Sequence, residues 1–231
     1  MIGKHILTSF DQDMLLLREE ILYLAGQAEK ELERAMQALL NDDHVLAQEV
    51  VVSDLIADRL QQQINQHVTI VLARQQAMAD DLREILAAGR IAAHLERLAD
   101  YAKNTAKRTQ VLSKKVDAEI GAQFSWMSDR VGAMLRQVMH AYQERDADEG
   151  NVAWSSDIEL DRIYGKLFAH LLELMRQDPG SIKDATQMLF IAKGLERAGD
   201  HVTDIAEEVF WMVRGTPMQG PRPKVDNIAP E

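Results

Sequence analysis

The chain has 231 residues, 46% hydrophobic but only 5% aromatic, with a formal charge of −11 at neutral pH and no cysteine. So acidic a surface is repelled by nucleic-acid phosphates, and a chain without thiols makes no disulfide, thiolate-bound zinc site or iron–sulfur cluster. No apolar run approaches the ~20 residues that span a bilayer, and the opening MIGKHILTSFDQDM holds no signal-like block, so the expected location is cytoplasmic, with membrane contact at most peripheral.

The first 175 residues contain no proline, and a proline inside a helix costs ~3 kcal/mol, so a long helical chain is expected. Leu15, Ile21, Leu22, Ala25, Ala28, Leu32, Ala35, Met36 and Leu39 recur at the helical period and predict a first helix over roughly 8–41. Asn41-Asp42-Asp43 interrupts it and can cap a second over 43–77, marked by Val50, Leu55, Leu60, Ile64, Val68 and Val71. A third runs from Ala79-Asp80-Asp81 to about 112. A fourth opens near Asp117 and ends near Glu144, where D-A-D-E-G-N breaks it. A fifth covers 152–177. The turn Q-D-P-G-S at 177–181 leads into a sixth that reaches Arg214. The remaining prolines, at 217, 221, 223 and 230, mark residues 215–231 as a disordered tail. Nothing alternates with a period of two, so the fold class is all-α.

The chain repeats itself. IAAHLERLADYAKNTAKR at 91–108 and IAKGLERAGDHVTDIAEE at 191–208 share seven of eighteen positions at an offset of 100. At an offset of 103, Ala38 matches Ala141, Asp43 matches Asp146, Ser53 matches Ser156, Asp54 matches Asp157 and Asp58 matches Asp161. Two motifs recurring in the same order predict two tandem three-helix bundles related by pseudo-two-fold symmetry, residues 1–115 and 116–214.

The repeated motifs are acidic. Glu96 and Asp100, like Glu196, Asp200 and Asp204, stand four apart and stack on one helix face, where like charges repel by ~0.2–0.5 kcal/mol per pair. If Asp54 and Asp58 face Glu96 and Asp100, and Asp157 and Asp161 face Glu196, Asp200 and Asp204, each bundle gathers a carboxylate cluster that needs cations or raised pKa values. Oxygen-only clusters suit Mg²⁺, Ca²⁺, Mn²⁺ or iron better than zinc. The Glu-x-x-His signature of di-iron bundles is missing, which argues against redox chemistry. Taken singly, each acid reads as solvated surface balanced by Arg59, Arg97, Arg162 or Arg197; taken as matched sets, they read as metal ligands. His201, next to Asp200, is a candidate ligand but reads more readily as a lone surface or supporting imidazole, and His94 and His5 have no expected partner. Tyr101 takes the place of His201 in the first half.

These motifs resemble the PhoU family, the accessory regulators of bacterial phosphate-specific transport. The resemblance rests on L-E-R-x-A-D-Y-A-x-N at 95–104, L-E-R-A-G-D-H-V-T-D-I-A-E at 195–207, and L-A-x-E-V-V-x-S-D-x-x-x-D at 46–58. It spans about residues 5–214. It implies iron or zinc clusters at Glu96, Asp100, Glu196 and Asp200, with Asp54, Asp58, Asp157 and Asp161 on the facing helices. Asn104 and Lys107 stand where the second half has Asp204 and Glu207, so a weaker first site is expected. The resemblance further implies a negative regulator of phosphate uptake and of the phosphate-starvation response. Its implied partners are the ATPase subunit of a phosphate ABC transporter and a sensor histidine kinase, and it makes a homodimer plausible. No nucleophile–base pair and no phosphate-cradling glycine loop is written in the chain, so no enzyme is expected. The alternatives are a metal-dependent phosphoester hydrolase and a structural helical spacer. Trp126, Met127 and Trp154 are candidate partner anchors, with core packing the commoner role for such residues.

Overall fold

The computed structural model describes residues 2–74, 77–150 and 157–218, with side chains from residue 9 and, in the last segment, from residue 158. Six long helices run through the described residues: α1 Ile2–Asn41, α2 His44–Arg74, α3 Ala79–Thr109, α4 Ala118–Glu144, α5 Asp157–Gln177 and α6 Ile182–Arg214. Residues 151–156, where the fifth helix is expected to begin, and the tail from 219 onward lie outside the described residues. The first helix extends back to Ile2 because nothing in that segment breaks it.

Helix ends follow local chemistry. Asp117 Oδ1 accepts the Glu119 N–H at 2.9 Å and opens α4. Asp178 caps a short 3₁₀ turn, Pro179–Ser181, that redirects the chain into α6. Gly215 closes α6 at φ 72°, donating its N–H to the Trp211 carbonyl at 2.8 Å.

The duplication is visible in the turns. Asp42 and Arg145, offset by 103, both adopt left-handed backbone, at φ 58° and 56°. After each, an Asp N–H reaches back to an alanine carbonyl: Asp43 to Ala38 and Asp146 to Ala141, both at 2.9 Å. The same Asp side chains then accept the Leu46 and Glu149 N–H groups and start the next helical segment. Equivalent residues therefore build equivalent caps, with a helical turn at 147–150 corresponding to the start of α2.

Within the first unit α1, α2 and α3 pack mutually; α4 and α5 both pack on α6 in the second; α3 against α6 and α1 against α4 join the units. The cores are aliphatic: Leu17, Ile21, Leu24 and Leu32 of α1, Ile64 of α2 and Ile85, Ile91, Leu95 and Leu98 of α3 are almost wholly buried. Each such burial contributes about 1.5–3 kcal/mol. Helix α3 must serve three neighbours at once, and its buried alanines at 87, 88, 92, 99, 102 and 106 let them approach closely. Leu15 and Leu55, placed by periodicity on the apolar stripes of α1 and α2, are instead 55% and 54% exposed. In helices this long a repeat of 3.6 leaves residues at the edge of the stripe, which the neighbouring helices do not reach. Met127 is buried and Trp126 partly exposed; Trp154 lies outside the described residues. No helix among the described residues is long and apolar enough to cross a membrane.

Candidate functional site

Helices α3 and α6 run antiparallel, and their contacts fix the register. Arg90 pairs with Glu208 at 3.1 Å and lies over the Trp211 ring; Arg197 Nε donates to the Tyr101 hydroxyl at 2.7 Å; Arg108 donates to Gln187 at 2.7 Å and covers the Phe190 ring. The pairing turns about Ala99 and Gly199, both buried and both lacking bulk. The acid motifs flank this seam.

In the first unit the expected acids do come together. Asp54 is buried on α2, facing half-buried Glu96 and Asp100 on α3. Burial raises the Glu96 pKa first, and the charges of Asp100, Asp58 and Asp54 push it further against the pull of Arg97. Burial likewise raises Asp54, with Asp58 and Asp100 adding to it. Two partners were not legible from the motifs. Lys103 donates to Asp54 Oδ2 at 2.5 Å and to Asp100 Oδ1 at 2.6 Å. Burial acts to lower the Lys103 ammonium, but these two carboxylates outweigh it and hold it above the usual lysine range. Beneath them Glu31 of α1 is buried, and neither of its oxygens takes a hydrogen bond among the described residues. Ser53 on the facing helix gives its proton to the Val50 carbonyl instead. Burial and then the Asp54 charge push Glu31 up to about 7.

In the second unit Asp161 and Glu196 are buried and Asp200 half-buried. Burial raises Glu196, and Asp200 and Asp161 reinforce it. Lys193 lies 2.6 Å from Glu196 Oε2 and opposes the shift; its ammonium also sits over the Tyr164 ring at 5.3 Å. Asp157 opens α5, but its side chain lies outside the described residues.

Acids of facing helices thus lie near one another in each unit, and in each a lysine pairs with them. The lysines occupy non-equivalent positions: Lys103 matches Thr203, and Lys193 matches Ala93. Glu31 corresponds to Met134, a buried apolar side chain. Among the described residues neither acid cluster brings three ligand atoms within 4.8 Å of one another. Lys103 takes one oxygen each of Asp54 and Asp100, and Lys193 takes one of Glu196.

Asp204 is placed differently from the expected fifth acid of the second cluster. Its Oδ2 lies 3.6 Å from His94 Nδ1 and 3.5 Å from His201 Nδ1, across the α3–α6 seam. The two imidazole nitrogens are 3.0 Å apart. His94, expected to have no partner, and His201, read as a candidate ligand or more readily as a lone or supporting imidazole, therefore meet each other. The reason is the antiparallel seam, which brings residues 107 apart in sequence into register. Burial lowers the His94 pKa against the opposing charge of Asp204, with His201 lowering it further and Glu207 raising it.

The PhoU domain model matches residues 21–109 and, a second time, 124–209, one match for each unit. The chain belongs to the PhoU family. It is 39% identical over 227 residues to a phosphate-specific transport system accessory protein PhoU homolog of Rhizobium meliloti (strain 1021), covering 98% of this chain and 96% of that protein. A PhoU homolog of the same description from Zymomonas mobilis subsp. mobilis is 36% identical, covering 93% and 90%. Among solved structures, PhoU from Pseudomonas aeruginosa superimposes with a TM-score of 0.85 at 30% identity, over 90% of this chain and 100% of that one. The phosphate transport system regulatory protein PhoU of Streptococcus pneumoniae shares the fold, with a TM-score of 0.84 at 24% identity, over 91% and 99%. The all-α, tandem arrangement of this PhoU chain is that of the family.

Proposed function

We propose that the chain is an accessory regulator of phosphate transport, acting in the cytoplasm. It restrains phosphate uptake and the phosphate-starvation response by contacting the ATPase subunit of a phosphate ABC transporter and a phosphate sensor histidine kinase. The observation that carries this reading is the family match to both units, joined to near full-length similarity with a relative named as a phosphate-specific transport system accessory protein. A homodimer belongs to the same proposal and is tested by sedimentation equilibrium.

Metal ions at the acid clusters, iron or zinc by resemblance and Mg²⁺, Mn²⁺ or Ca²⁺ by the hardness of the ligands, are part of the proposal. As arranged, the clusters do not fit an ion without rearrangement, because Lys103 and Lys193 hold the carboxylates. The residues that would bind one are Asp54, Asp58, Glu96 and Asp100 in the first unit and Asp157, Asp161, Glu196 and Asp200 in the second.

A pull-down from phosphate-replete cells, read for the transporter ATPase and the sensor kinase, tests the adaptor role. Capture of both, with phosphate repression lost in a deletion strain, supports it. Capture of neither, with repression intact, overturns it. Purified protein supplied with manganese and a generic phosphoester tests the hydrolase alternative, for which turnover lost in Asp200→Ala is the required result.

A further inference from the structure

The repeat predicts two equivalent contacts across the α3–α6 seam, one joining residue 94 to residues 201 and 204, the other joining 194 to 101 and 104. The second is a packing contact. A Cβ on Gly194 would sit 3.7 Å from the Tyr101 ring, and Asn104 faces solvent. At the first, glycine is replaced by His94, tyrosine by His201 and asparagine by Asp204. Three departures from the repeat, drawn from both units, converge on one point. Among the described residues this is the set whose metal-ligating atoms all lie within 4.8 Å of one another.

We propose that His94, His201 and Asp204 form a divalent transition-metal site that staples the two units together across the α3–α6 seam. The separations of 3.0, 3.5 and 3.6 Å define a compact triangle of two imidazole Nδ1 atoms and one carboxylate oxygen. A point about 2.0 Å from all three lies at its centre, which is the distance at which zinc takes imidazole nitrogen and carboxylate oxygen. Two imidazoles and one carboxylate leave a fourth position for water, the ligand set that suits zinc, cobalt or iron(II) rather than calcium or magnesium. His201 and Asp204 stand three apart on α6, so one helix face supplies two ligands and α3 supplies the third. The site is distinct from the acid clusters: it uses nitrogen donors, it contains no lysine, and it occurs once rather than twice. It does not rest on the regulatory reading.

Cobalt(II) is the probe, because a nitrogen–oxygen site of low coordination number gives a visible absorption band that exposed carboxylates do not. Full-length protein stripped with a chelator and titrated with cobalt is expected to develop that band at one equivalent and to lose it when zinc is added. His94→Ala and Asp204→Asn, each checked for unchanged helical circular dichroism, are expected to lower cobalt affinity at least tenfold, whereas His140→Ala, at an exposed histidine paired with Glu149, keeps the band. Zinc at one equivalent is expected to raise the unfolding temperature of the parent protein more than that of His94→Ala. In an NMR spectrum of the unaltered chain, zinc at one equivalent should move the ring signals of His94 and His201 before those of His140 or His170. A parent protein that gives no band, a band undiminished in both variants, or zinc-induced shifts that spare both rings reduces the contact to a hydrogen bond between two imidazoles and overturns the proposal.

Discussion

Lys103 reaches from α3 to place its ammonium 2.5 Å from Oδ2 of Asp54 on α2, where the carboxylate side chain is only 4% exposed. A second bond to Asp100, one turn back on its own helix, completes the clamp. Removing one member of a buried pair leaves the other charge without compensation, which costs about 3 kcal/mol. Lys103→Met is therefore expected to lower the free energy of unfolding by about that amount at pH 7. Adding Asp54→Asn should recover most of the loss, because the buried charge is then gone and half-buried Asp100 keeps Arg97. Urea denaturation of the two single variants and the double variant measures both effects. A Lys103→Met protein as stable as its parent would show that the clamp contributes nothing.

Glu31 gives a pH dependence of definite sign. Its carboxyl titrates near 7 in the folded protein, against an ordinary value of 4.5. The folded state therefore binds the proton more tightly than the unfolded state. The contribution is complete below pH 4.5 and is lost as pH rises through 7, a swing of about 3 kcal/mol. Glu31→Gln carries no such titration. The stability difference, variant minus parent, should thus become more favourable to the variant from pH 5 to pH 8. Urea midpoints at four pH values across that window test it, and parallel curves for the two proteins would refute the assignment.

These two residues also show where sequence reasoning stops. The i, i+4 stacking of Glu96 with Asp100 and of Glu196 with Asp200 is a property of one helix and can be read directly from spacing. The six helices and the duplication were legible for the same reason, since proline, glycine and apolar period act locally. Glu31, Lys103 and Lys193 are different. Glu31 and Lys103 acquire their roles by facing another helix, whereas Lys193 pairs with Glu196 three residues along its own; none has a counterpart in the other repeat, since Glu31 matches Met134, Lys103 matches Thr203 and Lys193 matches Ala93. Symmetry, which found the acids, conceals what neutralises them. His94 was missed for the same physical reason, because only the antiparallel seam brings it to His201. The signal that could have found it is the departure of residues 94, 201 and 204 from their counterparts in the repeat.

Asp42 and Arg145 share a left-handed backbone at equivalent points of the repeat, but only one of them anchors something. For an L-residue that conformation costs roughly 1–2 kcal/mol, partly offset in a glycine variant by the greater freedom of its unfolded chain. Asp42 is exposed, and its carboxylate lies 3.3 Å from the exposed His44, so Asp42→Gly should stabilise by about 0.5–1 kcal/mol. Arg145 instead pairs with Glu84, whose side chain is 1% exposed on α3 and is also held by Arg18 of α1. It thereby ties the end of α4 to the first unit. Arg145→Gly relieves the same backbone but strips a buried carboxylate of one partner, and a net loss of about 1–3 kcal/mol is expected. Thermal melts of the two glycine variants should move in opposite directions. Movement in the same direction would mean that the Glu84 contact has no energetic weight.

If metal ions enter the acid clusters, they compete with the lysines for the same oxygens. The competition differs between the units, because the Lys103 side chain is 20% exposed and pairs with both Asp54 and Asp100, whereas that of Lys193 is 45% exposed and pairs with Glu196. A half-exposed pair is worth about 0.2–1 kcal/mol, so Lys193→Met should tighten manganese binding in the second unit by only about two- to fivefold. Lys103→Met should tighten binding in the first unit by more, since a stronger competitor is removed and Asp54, Asp58, Glu96 and Asp100 are left to face one another. Manganese titrations followed by electron paramagnetic resonance, with the His94→Ala background used to silence the seam, measure the free ion directly. Unchanged or weakened binding in both lysine variants would mean that the ammonium groups are the only cations these carboxylates are built to hold.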